Sequence, residues 1–248
     1  MTSRHRWRWR GALLLAALPT GLGGLLYLEV AIARRGPAPT NVDVGLLPGR
    51  VGAEGPAQRV VWLGDSTAAG VGAVSPEGAL PRLVAGLQRR PTELRVLARS
   101  GAQIRHVLDR QLPKVASLEP ELILISVGAN DVTHLTSPGD FAASYRLLVG
   151  QLPVTARIVV LGVPDLGAPP RLLQPLRAVA GWRGRQLEGA LRRLADELGL
   201  EYVDIAGQTG PLFRSDPGRY FSPDGYHPNG AGYGLWADEV LKVLEPEG

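Results

Sequence analysis

The sequence predicts a doubly wound α/β domain over residues 59–248. Three observations carry that expectation. Short apolar runs alternate with amphipathic stretches, two of the runs are continuous and rich in β-branched residues, and polar clusters follow the runs at their carboxyl ends.

Apolar runs at 59–63, 94–98, 122–127, 158–163 and 202–205 read as five strands. Within "ELILISVGAND" and "RIVVLGVPD" the apolar residues do not alternate with polar ones, as expected of strands buried on both faces of a parallel sheet. Helical patterns fall between the strands near 78–90, 102–112, 139–152 and 172–199, and a last one near 230–244. No internal repeat is present. In an open parallel sheet, ligands bind beyond the carboxyl ends of the strands. Gly64-Asp65-Ser66 follows the first run, Ser100-Gly101 the second, and Gly128-Ala129-Asn130-Asp131 the third. All three clusters are therefore expected on one edge.

Residues 1–58 precede the domain. A basic tail, 1–10, carries Arg4, Arg6, Arg8, Arg10 and two tryptophans. Residues 11–33 follow with a single charge, Glu29, and match the roughly 20 apolar residues that span a bilayer. The arginine cluster predicts a cytoplasmic tail and an extracytoplasmic domain. The reading is an uncleaved signal anchor. A cleaved signal peptide is the rival, since Ala31-Ile32-Ala33 has the small-x-small form of a cleavage site. Residues 34–58, rich in Pro and Gly, read as a linker lifting the domain off the membrane surface.

The net charge of +4 does not mark a nucleic-acid surface. Seven arginines against three acids in residues 1–58 account for all of it, and the rest of the chain is neutral. With no cysteine there is no disulfide, thiolate metal site or cysteine nucleophile.

The stretch "RVVWLGDSTAAGVGA" invites several readings of Ser66. A phosphate loop needs a Gly-Lys-Ser/Thr ending, but Lys114 and Lys242 are the chain's two lysines. A dinucleotide loop fails as well, because Gly70-Val71-Gly72 is followed by Ser75 where a third glycine is required. The elbow of ordinary α/β hydrolases would end in glycine, and here Ala68 stands in that place.

A serine hydroxyl becomes a nucleophile when a base takes its proton, and histidine suits that task near neutral pH. Asp224 and His227, three residues apart in "SPDGYHPNGAGYGLWADEV", offer a base and a carboxylate to orient it from one loop.

Taken together, four blocks closely resemble the SGNH (GDSL-type) hydrolase family: Gly64-Asp65-Ser66, Gly101, Gly128-Ala129-Asn130-Asp131, and Asp224-Gly225-Tyr226-His227-Pro228-Asn229. They fall in the family's order across most of residues 59–248. The resemblance implies a flavodoxin-like three-layer α/β/α fold and cleavage of acyl esters through an acyl-serine intermediate. It implies Ser66 as nucleophile, His227 as general base and acid, and Asp224 as the residue that orients His227. It also implies an oxyanion hole built from the Ser66 and Gly101 backbone N–H groups and the Asn130 side-chain amide. Physical chemistry is consistent with this: Ser66 is expected at a helix N-terminus, Gly101 permits close backbone approach, and Asn130 supplies a neutral donor. The chain departs from the family pattern at Thr67, where leucine is frequent, and at Arg99, where asparagine often stands two places before the glycine.

Other polar residues have plainer readings. Asp65 and Asp131 are expected to brace loops, Asn229 to cap the last helix, and His106 and His134 to be structural or surface residues, with His134 close enough in sequence to line the site. Trp236 reads as core packing, and Trp182 with Arg183 as a solvated face. No metal or other cofactor is expected. The expected partners are a small-molecule, lipid or glycan ester and, through the leader, a membrane. Substrate choice is assigned to loops near 132–140 and 164–181. Acyl transfer or deacetylation on cell-envelope glycans is the alternative within chemistry, and a silent ligand-binding domain the alternative outside it.

Overall fold

The computed structural model describes residues 23–41, 49–52 and 54–246. Six strands form one sheet: Gly49–Val51 (β1), Gln58–Gly64 (β2), Thr92–Val96 (β3), Leu122–Ser126 (β4), Arg157–Leu161 (β5) and Glu201–Val203 (β6). Their order is β1-β3-β2-β4-β5-β6. All neighbours pair in parallel except β1, which runs antiparallel to β3 from Gly49 opposite Leu94 to Val51 opposite Thr92.

Helices cover both faces. They are residues 23–34 (α1), Leu80–Leu87 (α2), Ile104–His106 (α3), Ala129–Thr133 (α4), Pro138–Val149 (α5), Leu176–Leu198 (α6), Ile205–Ser215 (α7), Pro217–Tyr220 (α8) and Gly230–Leu244 (α9). Alternate side chains of the strands enter opposite layers, as the pleat requires. Trp62, Leu122 and Leu124 pack with Leu80, Val84, Tyr233, Trp236 and Val240 of α2 and α9. Leu63, Ile123 and Ile125 pack with Phe141, Tyr145, Leu187 and Leu191 of α5 and α6. Every residue of β4 is buried, and each large aliphatic side chain hidden there contributes about 1.5–3 kcal/mol. The three-layer architecture is the one expected, with the five parallel strands at the predicted places to within two residues at most termini.

The differences have local causes. The sheet has six strands rather than about five, because β1, three residues inside the expected 34–58 linker, gains its hydrogen bonds from β3 and carries no apolar period of its own. The helix expected at 102–112 is only one regular turn at α3. It passes into wide turns at Val107–Gln111 and tight turns at Leu112–Lys114 and Ala116–Leu118, where Pro113 lacks the N–H a regular helix needs. Helices α7 and α8 fill a stretch for which no helix was expected.

Among the described residues, no helix is long and apolar enough to cross a membrane. The basic tail 1–10 and residues 11–22 of the expected span lie outside the described residues. The remainder, α1, rests on the domain. Glu29 is 4% exposed and its carboxylate accepts a hydrogen bond from the Leu176 amide at 2.8 Å, while Ala33 packs against the α5–α6 layer.

Candidate active site

Three chain segments meet at the carboxyl edge of the sheet. Ser66 lies in the turn after β2, Gly101 in the turn after β3, and Asn130 in the first turn of α4 after β4. Since β3 and β4 flank β2, the second and third polar clusters sit on either side of the first.

The Ser66 turn is held from below. Asp65 is buried, its carboxylate accepts from the Thr67 amide at 3.0 Å and the Thr67 hydroxyl at 2.9 Å, and its own N–H donates to the Ser126 carbonyl at 3.0 Å. The Thr67 hydroxyl also lies 2.8 Å from the Ser126 hydroxyl on β4. Thr67, a departure from the family pattern, thus ties the Ser66 turn to its neighbouring strand. Burial pushes the Asp65 carboxyl up from its ordinary value against those hydrogen bonds. Gly64 has φ +150°, and a Cβ there would overlap the Ser126 carbonyl, so the strand must end in glycine for this turn to form.

No regular helix follows Ser66, contrary to expectation. Residues 66–72 are turns, closed by Ala69 N–H to Asp65 carbonyl and Val71 N–H to Ser66 carbonyl, each at 3.0 Å. Gly70 and Gly72, at φ +80° and +95°, are in the left-handed region and stop helix propagation.

The far segment, between α8 and α9, brings Asp224 and His227. His227 Nε2 lies 3.1 Å from Ser66 Oγ, and His227 Nδ1 lies 2.6 Å from Asp224 Oδ2. The other carboxylate oxygen, Oδ1, accepts from the Ser222 hydroxyl at 2.7 Å, the Tyr226 amide at 2.8 Å and the His227 amide at 3.0 Å. Burial alone would raise the Asp224 carboxyl. Hydrogen bonds from the His227 ring, the Ser222 hydroxyl and the two amides outweigh it and hold the group well below the usual carboxylate range. The arrangement keeps an ionised carboxylate on His227 Nδ1, leaving Nε2 to face the serine oxygen.

Asn130 donates one side-chain N–H to the Ala102 carbonyl at 3.1 Å, which fixes its amide against the Gly101 turn. Among the described residues, the Ser66 and Gly101 amides have no hydrogen-bond partner. Gly101 is required for its φ of +79° rather than for close approach, since nothing lies within 4 Å of where a Cβ would stand. Asp131 braces the same loop, accepting from the Ile104 amide at 3.0 Å and the Thr136 hydroxyl at 3.1 Å. Burial pushes its carboxyl up to about 6.

A mainly apolar cleft of about 40 Å³ opens beside Ser66 and His227. Pro164, Leu166, Ala168 and Pro169 form one wall, and Phe213, Phe221 and Trp236 form another. Asp165 and Thr209 also line it, their polar groups engaged by Arg214 and by the Ile205 carbonyl respectively. The expected loop 164–181 contributes to this lining and 132–140 does not. Phe213, on the unforeseen α7, left no signal in the sequence. Trp236 is 4% exposed and belongs to the core as expected, but one edge also faces the cleft.

The plainer readings divide. Asn229 caps α9 through the Gly232 amide at 3.0 Å, and His106 caps α3 by accepting from the Gln103 amide at 3.1 Å. His134 is exposed and bonds locally to the Asn130 carbonyl at 2.8 Å. Trp182 is exposed, but Arg183 is not a solvated charge: it donates to the Val132 and Thr136 carbonyls and anchors the loop after α4. No group of acids and histidines suited to a metal ion occurs among the described residues.

Comparison with known proteins gives the fold and the family. A GDSL-like esterase of Mycobacterium tuberculosis is 35% identical over 187 residues, covering 73% of this chain and 60% of that protein, so the chain spans about three fifths of its relative's length. Among solved structures, phospholipase A1 from Streptomyces albidoflavus superposes with a TM-score of 0.61 at 23% identity, covering 76% of this chain and 100% of that one. The lipase/acylhydrolase of Enterococcus faecalis superposes with a TM-score of 0.61 at 18% identity, covering 77% and 100%. These two likenesses establish the fold. Residues 62–235 match the GDSL-like lipase/acylhydrolase family, and with that match this chain belongs to the family, the SGNH (GDSL) family that its sequence resembles.

Proposed function

We propose that this hydrolase cleaves carboxylic esters of short acyl groups through an acyl-Ser66 intermediate. The observation that carries the reading is the unbroken hydrogen-bond relay from Asp224 through His227 to Ser66. In the first step Ser66 Oγ attacks the ester carbonyl while His227 Nε2 takes its proton. The negative charge that develops on the carbonyl oxygen meets the Ser66 and Gly101 amides and the second N–H of Asn130, donors already fixed in place before reaction. Collapse of the tetrahedral intermediate expels the alcohol, which receives the proton from His227. Water then attacks the acyl-serine, with His227 again acting as base and Ser66 restored as leaving group. Asp224 holds the imidazole tautomer and stabilises the imidazolium formed in each half-reaction.

The cleft supports the acyl preference. At about 40 Å³ the space beside Ser66 is far smaller than the roughly 150 Å³ cavity that accommodates benzene in an apolar core, which favours an acetyl-sized group there, and a longer chain would have to run out through the open mouth. The arginine-rich tail and residues 11–22 of the apolar stretch support a domain held at the outer face of a membrane, while residues 23–33 stay on the domain as part of α1.

The test is turnover of p-nitrophenyl esters from acetyl to palmitoyl by the full chain and by Ser66→Ala. The reading requires hydrolysis that is fastest for short acyl groups and abolished in the variant. Equal turnover by Ser66→Ala would remove the nucleophile from the account.

A further inference from the structure

Residues 33–40 do not leave the domain as a free tether. Arg171, in the loop that walls the cleft, donates from Nε to the Ala33 carbonyl at 2.6 Å and from Nη1 to the Pro37 carbonyl at 2.9 Å. The same Nη1 reaches the Asp224 carbonyl at 3.3 Å, and the Arg171 amide donates to the Gly225 carbonyl at 3.0 Å. Gly36 lies flat on the guanidinium, where a Cβ would come within 2.7 Å of Cζ. Four residues on, the Thr40 carbonyl accepts from the Gly72 amide at 2.8 Å. Gly72 in turn abuts the other half of the site: a Cβ there would overlap the Pro228 carbonyl and come within 2.9 Å of His227 Cβ. One segment thus contacts the turn carrying Ser66 directly, through Thr40 and Gly72, and the loop carrying Asp224 and His227 through the shared guanidinium of Arg171.

We propose that residues 33–40 are a positioning strap, with Arg171 as its clasp, that holds the Asp224–His227 loop against the Ser66 turn. The strap touches no reacting atom and acts through backbone carbonyls. Its sequence suits the task. Pro37 and Pro39 limit the conformations of an extended segment, so little freedom is lost in laying it down, and Gly36 permits the close approach to Arg171. The inference rests on the acyl-serine reading, since a strap of this kind matters only if the alignment of His227 with Ser66 limits the reaction.

The experiment uses the full chain and breaks the clasp from either side. Arg171→Ala removes the guanidinium, and Gly36→Val forces the guanidinium and the strap apart. Misplacement of a reacting group by about 1 Å costs about 10²-fold, so a partial loss of alignment is expected to lower kcat and the rate of Ser66 labelling by fluorophosphonate about 10-fold in both variants. KM is expected to change less than kcat, because neither Arg171 nor Gly36 lines the acyl cleft, and Arg171→Lys, which keeps a donor, is expected to recover part of the loss. Wild-type kcat and labelling rate in a folded Gly36→Val chain would overturn the strap, and that variant decides the matter if Arg171→Ala does not fold. Ser66→Ala serves as the separate control. Retained activity there would overturn the serine reading itself, whereas an inert Ser66→Ala beside a fully active Gly36→Val would overturn the strap alone.

Discussion

His227 Nε2 stands 3.1 Å from Ser66 Oγ although 161 residues separate the two in the chain. Neither loop reaches the other by local folding. The Ser66 turn is fixed by Gly64 and by the Thr67–Ser126 contact to β4, and the His227 loop by its own hydrogen bonds to Asp224 and by the capped start of α9. Their meeting is a consequence of the sheet order, which places the carboxyl end of β2 at the centre of the edge.

Asp224→Asn separates orientation from geometry. The amide can occupy the same space, but it can donate to Nδ1 and so favours the wrong tautomer. A loss of about 10⁴ in kcat is expected, with KM little changed, as for the equivalent change in other serine triads. Steady-state kinetics on a soluble ester checks it.

Asn130→Ala removes the side-chain donor that the proposed mechanism assigns to the developing oxyanion. The expected loss is about 10²–10³ in kcat. Because Asn130 also holds the Ala102 carbonyl, a small drop in melting temperature is expected alongside. Kinetics together with a thermal melt distinguishes the two effects.

Two of the buried carboxylates, Asp224 and Asp131, give opposite pH dependences of stability. Asp224 is held below its unfolded value, so its contribution is complete above about pH 4 and is lost as the pH falls further through its folded value. Asp131 is raised to about 6, so the folded state keeps a proton that the unfolded state has released, and its contribution is lost as the pH rises from about 4 through 6. In Asp131→Asn the fall in stability between pH 5 and pH 7 is expected to be smaller than in the wild type. Denaturant midpoints at the two pH values check this.

Phe213 closes the cleft against Phe221 and Trp236, with ring centroids 5.0 and 6.1 Å away. Phe213→Leu keeps an apolar wall and frees space at the floor. The ratio of kcat/KM for octanoyl over acetyl esters is expected to rise, by about 10-fold if the new space takes one or two methylenes. An unchanged ratio would show that the acyl group does not enter this cleft.

Much of this molecule was legible in its sequence because it depends on periodic or clustered residues. The unbroken apolar runs marked β4 and β5 as doubly covered strands, and the polar clusters at the strand ends foretold where the site segments would gather. What escaped depends on single long-range contacts. Strand β1 takes its structure from β3, and the turn after Ser66 is decided by positive φ at two glycines rather than by an apolar period. Arg183 read as part of a solvated face and Arg171 drew no assignment, because an arginine that donates to distant backbone carbonyls leaves no pattern in the residues around it. Phe213 was missed for a related reason: α7 carries Pro211 and two glycines and so lacks a helical signature.

The central claim is that Ser66 is an activated nucleophile, and the most direct test is to treat the full chain with a fluorophosphonate and locate the adduct by peptide mass spectrometry. The account requires one adduct per chain, on Ser66, and none in His227→Ala, where the base is absent. An unlabelled wild-type chain, or an adduct on another residue, would contradict it.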